Sequence, residues 1–395
     1  MIQPSFFDEM ERDAILNGLF QAYFDARKNK RNTLQALAFE RRFESNLFEL
    51  CDEIVERRYT PRPSSCFIVD KPVKREIFAA DFRDRIVHHF LYNAVSPLFE
   101  KRFIHDSYSC RSRRGTSLGI RRLDHFIRSC SMNYSEDCYV LKLDIKGYFM
   151  SINRGILFEM VRSRLLADGP GSGLDLPTLL FLLRKTVFND PTENCRIRGD
   201  AADWRGLPAD KSLFHARTDC GLPIGNLTSQ LFGNVYLDGL DHHVKGDLEI
   251  RHYGRYVDDI VIVHRQKDRL RSLIPEIRSY LRTNLQLDLH PGKIHLQHFT
   301  KGAKFLGAVI KPHRIYIANR TKGNFFEAIR RFNRMAMDRK SARTLRSAFL
   351  SSMNSYLGIL RHYKTYSMRT RMISENLSQI WQKEARLKAR ACRFV

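Results

Sequence analysis

The run Tyr256-Val257-Asp258-Asp259 constrains the fold of this chain more than any other feature. It places two adjacent acids between strand-forming residues, with Arg255 before it and the apolar run Ile260-Val261-Ile262-Val263 after it. This pattern is typical of a β-hairpin whose tight turn exposes the acids. An Asp pair taken alone is also a common turn sequence. The hairpin is therefore predicted, but the pair by itself assigns no chemistry.

A third acid ends a second predicted strand. The mostly apolar run Tyr139-Val140-Leu141-Lys142-Leu143 leads into Asp144 and suits a buried strand. Burying carboxylates without a partner costs several kcal/mol, and two Mg²⁺ ions would supply that partner. Two metals about 3.5 to 4 Å apart support phosphoryl transfer to a 3′-hydroxyl. We therefore predict a site of Asp144, Asp258 and Asp259 for two Mg²⁺ ions, with Mn²⁺ as a substitute.

The charge balance predicts a polyanionic partner. The formal net charge is +24, and residues 320–395 hold 18 Lys and Arg against four acids. Such a surface attracts nucleic acid and gains free energy from releasing condensed counterions. A solvated helix face explains scattered charge well but lopsided charge poorly. We expect a nucleic-acid partner bound by a basic C-terminal lobe.

Other patterns exclude several classes of protein. No run of about 18 uninterrupted apolar residues occurs, and the first residues lack the features of a signal peptide, so we expect no membrane partner and a cytoplasmic location. The eight cysteines lack zinc-binding spacing and are interpreted as reduced. No Walker-type loop or dinucleotide fingerprint supports an ATPase or a dehydrogenase.

Apolar periodicity and chain breakers give an order of elements. Helices are predicted over about residues 8–58, 85–99, 229–244 and 267–285 and throughout from Asn324 onward; hairpins are predicted at 66–79, with a basic tip at 71–75, and at 305–317; the stretch 189–220 is predicted to be an irregular insertion.

Beyond the acids, the chain resembles reverse transcriptases from about residue 15 to residue 370. The run Leu143-Asp144-Ile145-Lys146-Gly147-Tyr148-Phe149 resembles their motif A, and Tyr256 to Asp259 resembles motif C. The resemblance implies that the Ile145 carbonyl can join the metal ligands and that Phe149 excludes the ribose 2′-hydroxyl, although Phe149 could instead be a core aromatic. Phe305-Leu306-Gly307 resembles motif E, which would position the primer end together with Tyr256.

The same resemblance assigns cations to the incoming nucleotide. Lys71, Lys74 and Arg75 lie where the fingers hairpin of the family grips the triphosphate, a role that suits cationic donors. Lys293, after His290-Pro291-Gly292, resembles the lysine of motif D, a candidate general acid for the departing pyrophosphate. An ordinary exposed lysine is the alternative for Lys293.

Gly221 to Gln230 resembles motif B but departs from its usual form. Most of the family has Gln-Gly-x-x-x-Ser-Pro, whereas this chain has Ile224-Gly225-Asn226-Leu227-Thr228-Ser229-Gln230, a variant associated with diversity-generating retroelements. The resemblance places Ile224, Gly225 and Gln230 at the nucleotide. Because Ile224 cannot make the hydrogen bonds of a Gln, we predict reduced fidelity.

These observations predict an α+β right-hand polymerase. Fingers would span residues 1–135, a palm of antiparallel strands 136–318 with an insertion at about 165–220 partly in the fingers, and a basic helical thumb 319–395. The resemblance implies an RNA-directed DNA polymerase that makes cDNA mutated at template adenines in mutagenic retrohoming. Its partners would be a structured template RNA, the cDNA–primer duplex, dNTPs and a small basic accessory variability determinant protein. A retron-like reverse transcriptase in phage defence and a catalytically silent RNA-binding scaffold are the alternatives.

Overall fold

The computed structural model describes residues 6–28, 30, 32–70, 73–170, 174–388 and 393–395. The chain divides into two units. The first comprises Met1–Gly115, Lys142–Ile262 and Asp268–His295, and the second comprises Thr116–Leu141, Val263–Lys267 and Leu296–Val395. In the described ranges, no helix is both long enough and apolar enough to cross a membrane.

The predicted helices and hairpins occur in the expected order, and three further long helices, Thr116–Cys130, Arg154–Asp168 and Leu176–Val187, were not predicted. The helices are α1 Phe6–Arg27, α2 Leu34–Glu40, α3 Phe43–Val55, α4 Phe82–Glu100, α5 Thr116–Cys130, α6 Tyr148–Ser151, α7 Arg154–Asp168, α8 Leu176–Val187, α9 Leu227–Tyr236, α10 Asp238–His242, α11 Lys267–Leu285, α12 Asn319–Met335, α13 Arg339–Leu360, α14 Tyr366–Asn376 and α15 Gln379–Glu384. The strands are β1 Ser65–Val69, β2 Arg75–Ala79, β3 Tyr139–Asp144, β4 Arg196–Ile197, β5 Tyr253–Tyr256, β6 Asp259–His264, β7 His295–His298, β8 Ala303–Phe305, β9 Ala308–Lys311, β10 Arg314–Ile317, β11 Leu387–Lys388 and β12 Arg393–Phe394.

The N-terminal region is helical, as the spacing of its apolar residues predicted. Helix α2 begins after Thr33, whose hydroxyl accepts a hydrogen bond from the Ala36 amide at 3.4 Å and so caps the helix. Helix α1 packs on α3, where the rings of Tyr23 and Phe43 stack with centroids 5.3 Å apart. Helix α4 begins after Asp81, which accepts from the Arg83 amide at 3.1 Å.

The first hairpin is confirmed and gains a third strand. Strands β1 and β2 are antiparallel, with Cys66 opposite Phe78, and β4 joins the outer side of β1 in parallel. This third strand comes from the stretch 189–220. The rest of that stretch contains three short 3₁₀ helices, Ala201–Trp204, Ala209–Lys211 and Leu213–His215. The insertion is therefore irregular, as predicted, but ordered against the hairpin.

A four-stranded sheet in the order β5-β6-β3-β7 carries the acids. Strand β6 is apolar from Ile260 to Val263, and all four of these side chains are buried. Strand β3 is buried at Val140, Leu141 and Leu143. Both strands are thus held in place by core packing, and the acids stand at their ends.

The second unit has a helical core with a C-terminal exception. Trp381 is fully buried, stacks on Phe349 with ring centroids 4.0 Å apart, and donates from its indole nitrogen to the Phe332 carbonyl at 3.0 Å. The prediction of helix throughout from Asn324 is wrong at the end, where β11 and β12 pair. The side-chain amide of Asn354 accepts from the Phe394 amide and donates to its carbonyl, at 2.7 and 3.0 Å, which fixes this end in an extended conformation.

The fold class is α+β, with antiparallel sheets and packed helices, in agreement with the predicted right-hand polymerase fold. The boundaries proposed for fingers, palm and thumb stay a prediction.

Candidate active site

The three predicted acids come from adjacent strands of one sheet. Asp144 is the last residue of β3, and Asp259 is the first residue of β6, which neighbours β3. Tyr256 pairs with Asp259 across the hairpin, so Val257 and Asp258 form a two-residue turn between them. The local pattern explains this placement, because apolar runs fix both strands and leave their polar ends at one edge of the sheet.

The turn carries backbone strain at Val257. Its φ is +56°, a left-handed conformation that a β-branched residue rarely adopts. Such a residue costs of order 1–3 kcal/mol and persists only where its surroundings hold it. This conformation was not predicted, because Val normally indicates extended backbone.

A buried arginine holds the strained turn. Arg255 is 0 % exposed and donates to the Val257 carbonyl at 3.0 Å. Its other nitrogens form a bidentate pair with Asp241 of α10 at 2.7 and 2.6 Å, and Asp241 is also 0 % exposed. Tyr253 donates from its hydroxyl to the same carboxylate at 2.6 Å. This network of Arg255, Asp241 and Tyr253 was missed in the sequence, although an arginine between the strand-forming residues Tyr253 and Tyr256 was a signal that could have indicated it.

Two lysines pair with two of the three acids. Lys293 lies 2.8 Å from the carboxylate of Asp144, and Lys142 lies 2.9 Å from that of Asp259. Lys142 was not predicted as a site residue. Since alternate residues of a strand share a face, its position two residues before Asp144 was a usable signal.

The segment that carries Lys293 is bonded to the end of β3. The His290 amide donates to the Asp144 carbonyl at 2.8 Å, and the Lys146 amide donates to the Asp288 carbonyl at 2.9 Å. Ile145, whose carbonyl was predicted as a metal ligand, is buried and bridges to Leu289 between these two bonds. The predicted motif D lysine is therefore brought to the acids.

The surroundings of Asp258 raise the pKa of its carboxyl group. Burial, then the negative charge of Asp144 and that of Asp259, raise the pKa of Asp258 to about 6, against the opposing charge of Lys293. A cluster of partly buried carboxylates with a raised pKa is typical of a site that binds a cation.

The donor set suits Mg²⁺, which prefers carboxylate oxygens. As the side chains stand, however, no group of three or more His, Cys, Asp or Glu residues in the described chain could hold a metal. The carboxylates of Asp144 and Asp259 are instead directed to lysines. The residues therefore fit the ions in chemistry, and their side chains would have to leave Lys293 and Lys142 to share them.

Motif B residues pack against the fingers hairpin. The Ile224 carbonyl accepts from the Phe78 amide at 2.8 Å. Gly225 has φ +129°, and a side chain there would begin 2.8 Å from the Phe78 carbonyl, so only glycine fits this approach. Gln230 is exposed on α9.

Phe149 is half-buried in α6. Its ring lies 3.2 Å from the position that a Cβ at Gly233 of α9 would take. The gate and core interpretations of Phe149 therefore both stay predictions.

The predicted triphosphate cations differ in their surroundings. Lys71 lies outside the described residues, Lys74 is half-buried against the insertion, and Arg75 is exposed. Burial raises the pKa of Tyr256, and the Arg75 charge acts in the opposite direction. The charge of Arg75 therefore reaches the hairpin that carries the acids.

Phe305, Leu306 and Gly307 belong to the second unit. Phe305 is buried at the end of β8, and Leu306 and Gly307 form a two-residue turn into β9, with φ of +47° and +80°. Two positive φ values are typical of the tight turns that suit a twisted hairpin.

Comparison with protein families identifies the family to which this chain belongs. Residues 71–310 match the model described as "Reverse transcriptase (RNA-dependent DNA polymerase)". The chain belongs to the reverse transcriptase family. The match includes strand β2, the hairpin of β5 and β6 and all three acids, and it confirms the predicted enzyme class.

Individual relatives are distant. The chain is 25% identical over 295 residues to Protein YkfC of Escherichia coli strain K12, covering 65% of this chain and 69% of that protein. It is similar to an apo telomerase of Candida tropicalis truncated from its C-terminal domain, with TM-score 0.45, 12% identity and coverage of 67% of this chain and 58% of that one. A Candida albicans telomerase in complex with a fragment of telomeric RNA gives TM-score 0.44, 12% identity and coverage of 81% and 57%. The chain thus spans little more than half of either telomerase.

Removing the acid of the buried pair should destabilise the first unit. Asp241→Asn would leave the Arg255 charge buried without its counter-charge, and we expect the free energy of unfolding to fall by about 3–5 kcal/mol. Urea denaturation measures the change. Asp268→Asn, which breaks the exposed pair with Arg271, is the matched control and should change stability little. Equal stability of the two variants would contradict the role given to the pair.

Proposed function

We propose that this chain copies RNA into DNA by two-metal nucleotidyl transfer. The observation that carries the proposal is the meeting of three acids at adjacent strand ends, where burial and mutual repulsion raise the pKa of Asp258 to about 6. Membership of the reverse transcriptase family supports the same chemistry.

The carboxylates of Asp144, Asp258 and Asp259 would hold two Mg²⁺ ions, with Mn²⁺ as a substitute and the Ile145 carbonyl as a further ligand. When bound, such ions lower the pKa of an attacking 3′-hydroxyl and neutralise charge that develops on the phosphate. Repulsion among the acids would then be replaced by attraction to the ions. Lys142 and Lys293 would be displaced from the carboxylates that they contact in this structure.

The other residues would bind and orient the substrates. Lys293, once released from Asp144, would donate a proton to the departing pyrophosphate. Phe149 would exclude the ribose 2′-hydroxyl, and Arg75 would bind the triphosphate through its planar donors. Tyr256 and the Phe305–Gly307 turn would position the primer and template.

Loss of either hairpin acid should abolish synthesis. We expect Asp258→Asn and Asp259→Asn to lower Mg²⁺-dependent dNTP incorporation on a primed RNA template by at least about a hundredfold, because each removes a negative ligand from the ions. Asp268→Asn on exposed α11 is the matched control and should retain activity. Activity of either hairpin variant near that of the control would refute the metal assignment.

We further propose that synthesis is error-prone. The Ile224 side chain packs against the cluster of Cys66, Phe78, Met150 and Leu213. It offers no hydrogen bond to a base pair. A mispaired nucleotide therefore loses less binding free energy, relative to a correct pair, than it would beside a Gln.

Ile224→Gln should improve fidelity. One restored hydrogen bond is worth enough to lower misincorporation at template adenines roughly two- to tenfold. Sequencing of the cDNA measures this change, and Ile224→Val is the control that keeps the site apolar. If the two variants and the unmodified chain share one error spectrum, Ile224 does not set fidelity.

The motif B variant leads us to propose a diversity-generating retroelement enzyme. Its partners would be a structured template RNA, the cDNA–primer duplex, dNTPs and a small basic accessory variability determinant protein. A retron-like defence enzyme would share the chemistry but lack the adenine-directed errors. Sequencing of cDNA made with candidate RNAs separates the two, and absence of any cDNA would favour the silent scaffold.

The basic C-terminal segment would bind the duplex through phosphates. Residues 320–395 hold 18 Lys and Arg, and four phosphate contacts would weaken binding about a hundredfold between 50 and 200 mM salt. Fluorescence anisotropy with an RNA–DNA duplex measures the slope. Arg334→Gln on exposed α12 should reduce the slope by about 0.9, whereas Arg271→Gln in the first unit should leave it unchanged. A flat response would exclude the phosphate clamp.

A further inference from the structure

Two donors of the Lys74 ammonium group bind backbone carbonyls, and a carboxylate lies beside the group. Lys74 donates to the carbonyls of Asp203 and Arg205 at 2.7 and 2.9 Å, and it lies 3.3 Å from the carboxylate of Asp70. A lysine ammonium has three N–H donors. A triphosphate at Lys74 would therefore have to compete with the negative charge of Asp70 for the remaining donor.

Glu76 of β2, two residues after Lys74, is anchored to the same part of the chain. Its carboxylate is 1 % exposed and accepts from the Trp204 indole, the Ser212 hydroxyl and the Leu213 amide, each at 2.8 Å. Three donors on a buried carboxylate stabilise its charge and make the contact hard to break.

Apart from Asp70, the partners of both side chains lie in residues 201–213, which we name the clasp. The clasp also reaches motif A. Gly147 follows Asp144 by three residues, and a side chain there would begin 2.7 Å from the Asp210 carbonyl. The clasp therefore spans the distance between the fingers hairpin and the loop after the first metal-binding acid.

The hairpin transmits its position to motif B. The Phe78 amide donates to the Ile224 carbonyl, and Gly225 packs on the Phe78 carbonyl. Arg75 precedes Glu76 in β2, so it lies on the opposite face of the strand, and it is exposed. Among the described cations of the hairpin, Arg75 is the one whose side chain makes no hydrogen bond or ion pair within the described residues, so its donors are available to a nucleotide.

We propose that the clasp positions the fingers hairpin for nucleotide binding through Lys74 and Glu76. Lys74 is then a positioning residue, and Arg75 is the triphosphate-binding cation of the described hairpin. This inference rests on the proposed function and replaces the role predicted for Lys74 from its place in the sequence.

Steady-state kinetics test the proposal with a variant that keeps the core filled. Trp204→Phe removes one hydrogen bond to Glu76, and we expect the KM for dNTP to rise about tenfold with kcat unchanged, because a bond to a buried charge is lost. Ser212→Ala removes another bond to the same carboxylate and should act in the same direction. Lys211→Met removes an exposed clasp charge and is the matched control, with KM unchanged.

The role of Lys74 follows from a double-mutant cycle. If Lys74 acts through the clasp, Lys74→Met raises KM as Trp204→Phe does, and the double variant is little worse than either single variant. A triphosphate ligand restrained by the clasp would behave otherwise: Trp204→Phe would release it and lower KM, while Lys74→Met would raise KM. Opposite signs, multiplied effects or an unchanged KM for Trp204→Phe would each overturn the proposal.

Amide hydrogen exchange tests the clasp independently of the proposed polymerase activity. In Trp204→Phe and Lys74→Met the Leu213 amide should exchange at least about tenfold faster, and in Arg75→Met it should not. Calorimetric titration with dNTP should show weaker binding in all three variants. These readouts need no turnover, so a chain that makes no DNA would refute the proposed function, whereas unchanged exchange would refute the clasp.

Discussion

The buried pair of Arg255 and Asp241 is the interaction on which the active site depends. One guanidinium is held by two carboxylate oxygens of α10 and also donates to Val257, in the turn that carries the acids. The backbone of Arg255 is hydrogen-bonded as well. The Arg255 amide donates to the Asp106 carbonyl at 2.8 Å, and the Arg255 carbonyl accepts from the Tyr108 amide at 2.9 Å. The strain at Val257 persists because its carbonyl is fixed to a group that cannot itself move.

A rigid turn concentrates negative charge, and the structure offsets that charge with nearby lysines. Asp144 and Asp259 each have a lysine within 3 Å, whereas Asp258 in the turn has no ion pair of its own in the described structure and has the raised pKa. Lysine is suited to this role, because its ammonium on a flexible stem can move aside when a stronger cation arrives. The same two side chains thus offset the negative charge in this structure and would leave the acids available to the proposed ions.

Local sequence patterns predicted the helices and strands. They could not predict the long-range side-chain contacts around the candidate site. Helix α11 runs from Lys267 to Leu285 as predicted, and the acids stand at strand ends, because periodicity and burial are written in neighbouring residues. The bond from Trp204 to Glu76 joins positions 128 apart, and no local pattern encodes such a partner. Lys74 shows the consequence: its place in a basic hairpin tip indicated a phosphate ligand, while its surroundings give it carbonyl partners. The extended C-terminus was missed for the same reason, since Asn354 fixes it from 40 residues away.

Ile224, where the chain departs from the usual motif B, has a packing role in the fold as well as the role proposed for it at the nucleotide. Its carbonyl is held by Phe78, and its side chain borders an apolar cluster that includes Phe78, Met150 and Leu213. Leu213 is also the residue whose amide binds Glu76. An apolar residue at position 224 therefore extends the packing that joins motif B to the hairpin and the clasp. A Gln there would direct an amide toward apolar neighbours unless a base pair or water satisfied it. Packing against the β1–β2 hairpin and the proposed loss of a polar contact with the nucleotide would thus be two effects of one side chain.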